Sequence, residues 1–408
     1  MNDPSLAQKI GAIMLIAGTA IGAGMLGMPI VSGVCGFSNS MLLILFCFVT
    51  MLANLFLLLE ATLYCKDPYA NIIGLTREHL GPAWSAVCWT CFMLLLYSIL
   101  ASYISAGGDL VLQIQPKFLD MSQNISMIAF AILFSFVIIL GVSSLDRLNR
   151  LLMIGLLGSF FIIVSMLMPF VSSKHINYTG HPAYLANAFP IIAAAFTSHL
   201  VLPSVKSYVG NLNSVKQVLL IGSFVPLGLY VLWQLVVLGI THTTGPYSVH
   251  AIAVSQSPIS DFLHFLTVEY HLVTIGILTK CFFLFAITTS FLGVLLSLND
   301  FLADGFQIKD RSLKNRFYLL ILSIAPPLFF ALYSNSAFTL TLNFAGFFIA
   351  ILYCIIPTLV VIKNRRQNKP AAFKLPGGWP TIIALFVFGI IFAAASIMSS
   401  MGWLPHPA

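Results

Sequence analysis

Long blocks of apolar residues follow one another along this 408-residue chain, and only short polar stretches separate them. A helix needs ~20 residues to cross the hydrocarbon core of a bilayer. Eleven blocks reach that length, near residues 8–33, 39–64, 83–107, 125–143, 148–171, 185–207, 217–240, 272–298, 316–334, 337–362 and 379–402. The pattern predicts an all-α polytopic membrane protein of eleven transmembrane helices, a single domain over residues 1–408 with no soluble module and no low-complexity tract. The longest connection expected outside runs from Thr241 to His271. Within it, Ser260-Asp261-Phe262-Leu263-His264-Phe265-Leu266 mixes apolar and polar positions and predicts a short surface helix.

Two of the blocks interrupt themselves. The first reads Ala17-Gly18-Thr19-Ala20-Ile21-Gly22-Ala23-Gly24-Met25-Leu26-Gly27-Met28-Pro29, with four glycines and a proline within twelve residues. The sixth carries Phe189-Pro190, then Thr197-Ser198-His199 at mid-span, then Pro203. In hydrocarbon every backbone N–H and C=O must find its partner within the protein, so such breaks survive only where protein encloses them or a water-filled cavity adjoins them. Freed amides and carbonyls then become ligands for a charged solute. Broken helices five spans apart, in halves that enter the membrane in opposite senses, point to a midplane substrate site. The expected architecture is a five-plus-five inverted repeat, residues 8–171 and 185–362, with an additional helix over 379–402.

Composition agrees with this reading. The chain is 59% hydrophobic and 8% charged, with a mean hydropathy of +0.99, whereas soluble domains carry about 25% charged residues. The formal net charge of +7 invites a nucleic-acid reading, and the distribution of charge dismisses it. With a cytoplasmic N-terminus, 16 of the 19 lysines and arginines fall in inside segments, Lys117 and Lys174 fall outside, and Lys280 lies within a span. That is a positive-inside bias, so the expected orientation has the C-terminus outside, in the periplasm. The basic segments 299–316 and 363–378 are placed against anionic head groups. The first block lacks the basic leader of a cleavable signal and is expected to stay. The seven cysteines, Cys88 and Cys91 among them, fall mostly within spans and read as small buried hydrophobes. No metal site and no cofactor is expected.

Several residues could carry chemistry. Gly22-Ala23-Gly24-Met25-Leu26-Gly27 matches the dinucleotide fingerprint, which requires a preceding strand that the chain does not supply. In a broken span these residues open a half-helix N-terminus, whose dipole favours a carboxylate. Ordinary glycine packing between helices is the plainer alternative for any single one of them. His199 is the foremost candidate for proton-linked chemistry because imidazole titrates near neutral pH. Intramembrane charges are costly and default to function, which singles out Glu60 and Lys280. Glu60 also lies close enough to the inner end of its span to reach the interface, and Lys280 could snorkel outward. Asp109 reads as an end residue. Thr288, Thr289 and Ser290 offer hydroxyls that, with carbonyls, suit a hard cation such as sodium, or simply bond back to their own helix. Of Tyr97 and Tyr103, the second is the expected pocket wall.

The stretch Gly18 to Pro29 resembles the start of the hydroxy and aromatic amino acid permeases, in particular the bacterial tyrosine and tryptophan permeases. The resemblance continues through Leu58-Leu59-Glu60, Ala101-Ser102-Tyr103-Ile104-Ser105, His199 with Pro203-Ser204, Thr289-Ser290-Phe291-Leu292-Gly293-Val294, Asp300-Phe301-Leu302-Ala303-Asp304 and Gly377-Gly378-Trp379-Pro380. It implies an eleven-span inner-membrane symporter of the amino acid–polyamine–organocation superfamily that imports an aromatic amino acid, usually with a proton. It places the substrate between spans one, three, six and eight, the carboxylate at the amides of Gly22 to Gly24 and the ring near Phe196 and Tyr103. Family members often carry a lysine in span five, about six residues after the pair matching Asn149-Arg150. Here Met153-Ile154-Gly155-Leu156-Leu157 stands there.

Together these readings give a secondary active transporter working by alternating access, most simply a proton symporter for tyrosine. A tryptophan-preferring or sodium-coupled carrier of the same fold is the alternative. The expected substrate site is Thr19, Gly22, Ala23, Gly24, Tyr103, Phe196, Ser198 and His199. The expected cation-coupling set is His199, Lys280, Thr289, Ser290 and Glu60. A channel would need a charged or polar lining and an enzyme clustered catalytic groups, and the spans supply neither. The expected partners are the amino acid and membrane lipid, with no nucleic acid and no obligatory protein.

Overall fold

The first apolar block folds as two helices. In the computed structural model, α1 (Leu6–Ala20) and α2 (Ala23–Gly33) part at Ile21-Gly22. The model describes residues 4–405 except 68–69, 116–119, 140–141, 256–260, 263, 267–272, 309, 311 and 334–336. Ser5 caps α1 reciprocally: its hydroxyl accepts from the Gln8 N–H at 3.2 Å and the Gln8 side chain accepts from the Ser5 N–H at 2.8 Å. Such a box satisfies two amides that a helix start leaves open. The break is narrower than the run of glycines suggests. Gly24, Gly27 and Pro29 are all helical.

Helix α3 (Phe37–Thr62) follows, then the short α4 (Ile72–Leu80), capped where the Asn71 side chain accepts from the Gly74 N–H at 2.9 Å. Next come α5 (Pro82–Ile114), which begins with a proline where no N–H is needed, α6 (Gln123–Ile139), α7 (Val142–Leu167) and the single turn α8 (Ser173–Ile176). The second broken block is α9 (Leu185–Ala195), a 3-10 turn at His199–Val201, and α10 (Leu202–Val209). The remainder is α11 (Leu212–Ile240), α12 (Val249–Ala253), α13 (Val273–Gly305), α14 (Leu313–Tyr333) and α15 (Ala337–Ile349). A π-helical turn, Ala350–Ile355, leads into α16 (Ile356–Arg366), and α17 (Gly378–Ser400) ends the fold. Ser260 and Leu263 of the expected surface helix, the charges Lys117, Lys309 and Arg311, and the terminal His406-Pro407-Ala408 lie outside the described residues.

Among the described residues the fold is all-helical, and nine helices are long and apolar enough to cross a membrane. Two shorter apolar helices, α1 and α6, accompany them. Large apolar side chains such as Leu42, Phe136, Ile154 and Phe329 point outward, as a hydrocarbon surrounding requires. Inside, α5 packs on α6, α13, α14 and α15, while α13 packs on α7. The half-helices face each other, α2 against α9. Helix α1 lies along α11, and α9 lies along α3. One proline within a helix has a visible compensation. Pro326 cannot donate to the Leu322 carbonyl one turn back, and the Tyr97 hydroxyl donates to it instead at 2.9 Å.

One charged cluster closes the end of the bundle where α3 and α16 finish. Glu60 is fully buried and receives Arg365 in bidentate fashion, Nε on Oε1 at 2.7 Å and Nη2 on Oε2 at 2.6 Å. The Leu375 N–H donates to the same carboxylate at 2.7 Å, and the Tyr64 hydroxyl at 3.0 Å. Beside it, Lys363 donates to the His79 carbonyl at 2.6 Å and the Asn364 amide lies 3.2 Å from His79 Nδ1. Burial holds the His79 ring below the ordinary imidazole value, so it stays neutral and accepts. Glu60 is thus held by α16 and the segment after it.

Removing one partner of a buried, hydrogen-bonded pair strands the other charge, at about 3–5 kcal/mol. Glu60→Ala is therefore expected to lower the unfolding temperature in detergent markedly, with Glu60→Gln, which still accepts from Leu375, lowering it less. Equal melting of wild type and Glu60→Ala would show that the cluster does not hold the bundle.

Candidate functional site

Helices α1 and α9 both stop in the middle of the bundle, and a helix end leaves carbonyls without intrahelical donors. Both ends meet one side chain. The Tyr230 hydroxyl, on α11, lies 2.6 Å from the carbonyl oxygen of Ala20 and 2.9 Å from that of Ala195. Its single O–H proton serves one carbonyl at a time and keeps the two chain ends together. Tyr230 is buried and stands 5.1 Å, centroid to centroid, from the Phe196 ring, which meets Phe48 of α3 edge-on at 5.6 Å.

On the other side of the first break, Gly22 is the N-cap of α2 and has no side chain to bond the first amides. The Met25 N–H returns to the Gly22 carbonyl at 3.0 Å, and the amides of Ala23 and Gly24 open the positive end of the helix dipole. A Cβ on Gly22 would come within 2.7 Å of the Ser290 hydroxyl and 3.0 Å of the Tyr103 hydroxyl, so spans three and eight close on this glycine. The Ser290 hydroxyl also stands 3.4 Å from the Ile21 carbonyl. A Cβ on Gly24 would lie 2.9 Å from the Ala195 Cβ and 3.2 Å from its Cα. Glycine here lets the two broken helices touch. Gly27 has a similar packing role against Phe338.

The structure therefore assembles Gly22, Gly24, Tyr103, Phe196, Ser198 and Ser290 around the two breaks. Of Ala23 only the backbone is described. Ser198 is buried beside Phe196 and Ala20. The space bounded by Ala20, Phe48, Phe196 and Ser198 measures about 10 Å³, too little for an aromatic amino acid. His199 does not line that space. It is buried, stacks on Tyr353 at 5.3 Å, and neither ring nitrogen has a hydrogen-bond partner among the described residues.

Other expected site residues stand elsewhere. Thr19 is exposed and its hydroxyl bonds back to the Leu15 carbonyl at 2.7 Å. Thr289 bonds back to Ala286 at 3.1 Å, while Thr288 is buried without a partner among the described residues. Lys280 donates to the Gln113 carbonyl at 3.0 Å, near the far end of α5, and Asp109 accepts from Gln123 at 3.0 Å. Glu60 belongs to the Arg365 cluster. Sequence reasoning missed Tyr230 and Phe48. The available signal for Tyr230 was a polar-tipped ring in the middle of an apolar block, four residues after Pro226.

The family model for the tryptophan/tyrosine permeases matches residues 6–396, nearly the whole chain and both breaks. The chain belongs to the tryptophan/tyrosine permease family. The permease is similar to tyrosine-specific transport system 1 of Haemophilus influenzae, 30% identical over 98% of each chain. It is similar to the tryptophan-specific transport protein of Pseudomonas aeruginosa at 29% identity, covering 99% of this chain and 97% of that one. Glutamine transporter 2 of Aliivibrio fischeri is 27% identical over 96% of this chain and 99% of its own. The permease is accordingly a multi-pass membrane transporter and not an enzyme.

Two variants test the geometry. Gly24→Leu drives a side chain into Ala195 and is expected to abolish uptake while leaving the permease in the membrane. Tyr230→Phe removes the one donor that the Ala20 and Ala195 carbonyls share, at about 1–3 kcal/mol for a stranded group, and is expected to cut uptake roughly tenfold at equal membrane levels. Normal uptake by either variant, measured with labelled substrate in cells, would detach that contact from transport.

Proposed function

We propose that this permease imports an aromatic amino acid, tyrosine first, by proton symport across the bacterial inner membrane, with its N-terminus in the cytoplasm and its C-terminus in the periplasm. The observation that carries the reading is the convergence of two broken helices on Tyr230 beside the open amides of α2, a constellation suited to an amino acid's carboxylate. Phe196, Phe48 and Tyr103 supply ring surfaces around it. Relatives named for tyrosine and for tryptophan transport support an aromatic side chain, and the glutamine transporter among them makes the ring preference something to be measured.

The reading includes eleven spans, counting α1 with α2 as the first and α6 as the fourth, related as five plus five with α17 added. In favour of the repeat, packing contacts exchange when each span is replaced by the one five places away. The third on the tenth (α5 on α15) becomes the eighth on the fifth (α13 on α7). The first on the seventh (α1 on α11) becomes the sixth on the second (α9 on α3), and α5 on α6 becomes α13 on α14. With the Ser290 and Tyr103 hydroxyls closed on Gly22 and Ala195 closed on Gly24, the reading has substrate enter after the half-helices separate, as alternating access requires. Sodium coupling is the second reading, favoured by the Ser290 hydroxyl beside the Ile21 carbonyl, since oxygen ligands of both kinds suit a hard cation.

Uptake of labelled tyrosine into sodium-free proteoliposomes decides between them. Accumulation driven by an inward proton gradient, abolished by a protonophore and competed by tryptophan or phenylalanine, is the expected result. Accumulation only on adding sodium would replace the coupling ion, and transport of neither kind would refute the substrate class.

A further inference from the structure

Beneath the break in the second half-helix pair lies a second cavity that the substrate site does not use. It measures about 80 Å³ and is lined by His199, Tyr353, Thr62 and Asn71 among apolar walls. His199 is 1% exposed and Tyr353 2%. Both imidazole nitrogens and the Tyr353 hydroxyl lack a hydrogen-bond partner among the described residues. Leaving a buried polar group unpaired costs roughly 1–3 kcal/mol, so the presence of such groups on residues that line one cavity favours a polar occupant. A space of this size with polar groups on its wall admits water. Tyr353 lies in the π-helical turn Ala350–Ile355, a distortion that recurs at functional sites.

At the edge of this cavity sits a lysine. Lys206 is buried, 8% exposed, two helical turns beyond His199 on the same broken span, and its Nζ donates to the Thr62 hydroxyl at 2.8 Å. Thr62 donates its own proton to the Leu59 carbonyl at 2.8 Å, so towards Lys206 it can only accept. It orients the amine and relays nothing. Among the described residues no carboxylate lies within ion-pair distance of Nζ; Cys65 and Asp67, on the turn after α3, are the ionisable groups that act on it from further away. A buried ammonium with one hydroxyl partner is costly, and lysine, unlike arginine, can shed that cost by releasing its proton.

The geometry points to this cavity as a proton-exit chamber, with Lys206 as its terminal base. The inference rests on the proton-symport reading. A proton leaving the His199 imidazolium passes through the cavity water to the Lys206 amine, which becomes an ammonium. The ammonium then gives the proton to cytoplasmic water at the turn carrying Cys65 and Asp67, and both groups return to their neutral forms. Lys206 touches no substrate. It conditions the proton half of the cycle.

The test separates net proton-driven transport from exchange, which moves no net proton. In proteoliposomes, Lys206→Met and Lys206→Arg are both expected to lose gradient-driven tyrosine accumulation at least tenfold while keeping tyrosine–tyrosine counterflow within about twofold of wild type. Arginine keeps charge and approximate size but does not release its proton, so its failure would mark titration as the requirement. Wild-type accumulation by Lys206→Met, or its restoration by Lys206→Arg, overturns the proposal. Loss of counterflow in both variants overturns it too, because the lysine would then serve the fold or the substrate path. If wild type itself accumulates nothing under a proton gradient, the symport reading has failed instead.

Discussion

A main chain that stops being helical inside hydrocarbon must find partners for its carbonyls and amides within the protein. This permease makes that demand twice, at Ile21-Gly22 and at Phe196 to Ser198. It answers the demand largely with one phenol. Tyr230 lies between the Ala20 and Ala195 carbonyls, so the two breaks are held at one depth and in one orientation. With the negative ends of α1 and α9 occupied in this way, the positive end of α2 starts beside them at Gly22, without a side-chain cap. The close approach of Gly24 to Ala195 depends on the same alignment.

The ends of the bundle are treated differently. The Glu60–Arg365 pair is dry, bidentate and further bonded by Leu375 and Tyr64. Such a cluster specifies one arrangement of α3 against α16. The chamber around His199 is held by ring stacking on Tyr353, and three of its polar atoms have no hydrogen-bond partner among the described residues. Rigid clamps sit beside a partly satisfied polar space, which is what a gated pathway needs: fixed walls and groups free to change partners.

Much of this was legible from the chain itself. Each apolar block overlaps a helix or a broken helix pair, with ends that differ by up to seven residues, as at Ile114 and Gly305, because length and hydrophobicity mark what can cross a bilayer and not where a helix stops beyond it. The breaks were legible from Gly22 and from Thr197-Ser198-His199 between prolines, since few arrangements sustain an interrupted helix there. Tyr103 beside Gly22 was also within reach, given the resemblance. What could not be read was which side chain meets which across hundreds of residues. Glu60 looks like an intramembrane charge with a possible coupling role until Arg365, 305 residues away, is brought to it. Tyr230 looks like one of 13 tyrosines until both helix ends are found on its hydroxyl. Thr19 and Thr289 carry the right chemistry on helix faces that turn their hydroxyls back to their own carbonyls.

The assignment of the carboxylate to the α2 amides is the claim on which the substrate site stands. It is tested most directly by equilibrium binding of labelled L-tyrosine to the purified protein, with tyramine, which keeps the ring and amine but lacks the carboxylate, as competitor. Failure of tyramine to displace tyrosine at a hundredfold excess, about 2.7 kcal/mol of missing interaction, is the predicted result. Displacement by tyramine as effective as by unlabelled tyrosine would place the recognition elsewhere and contradict the assignment.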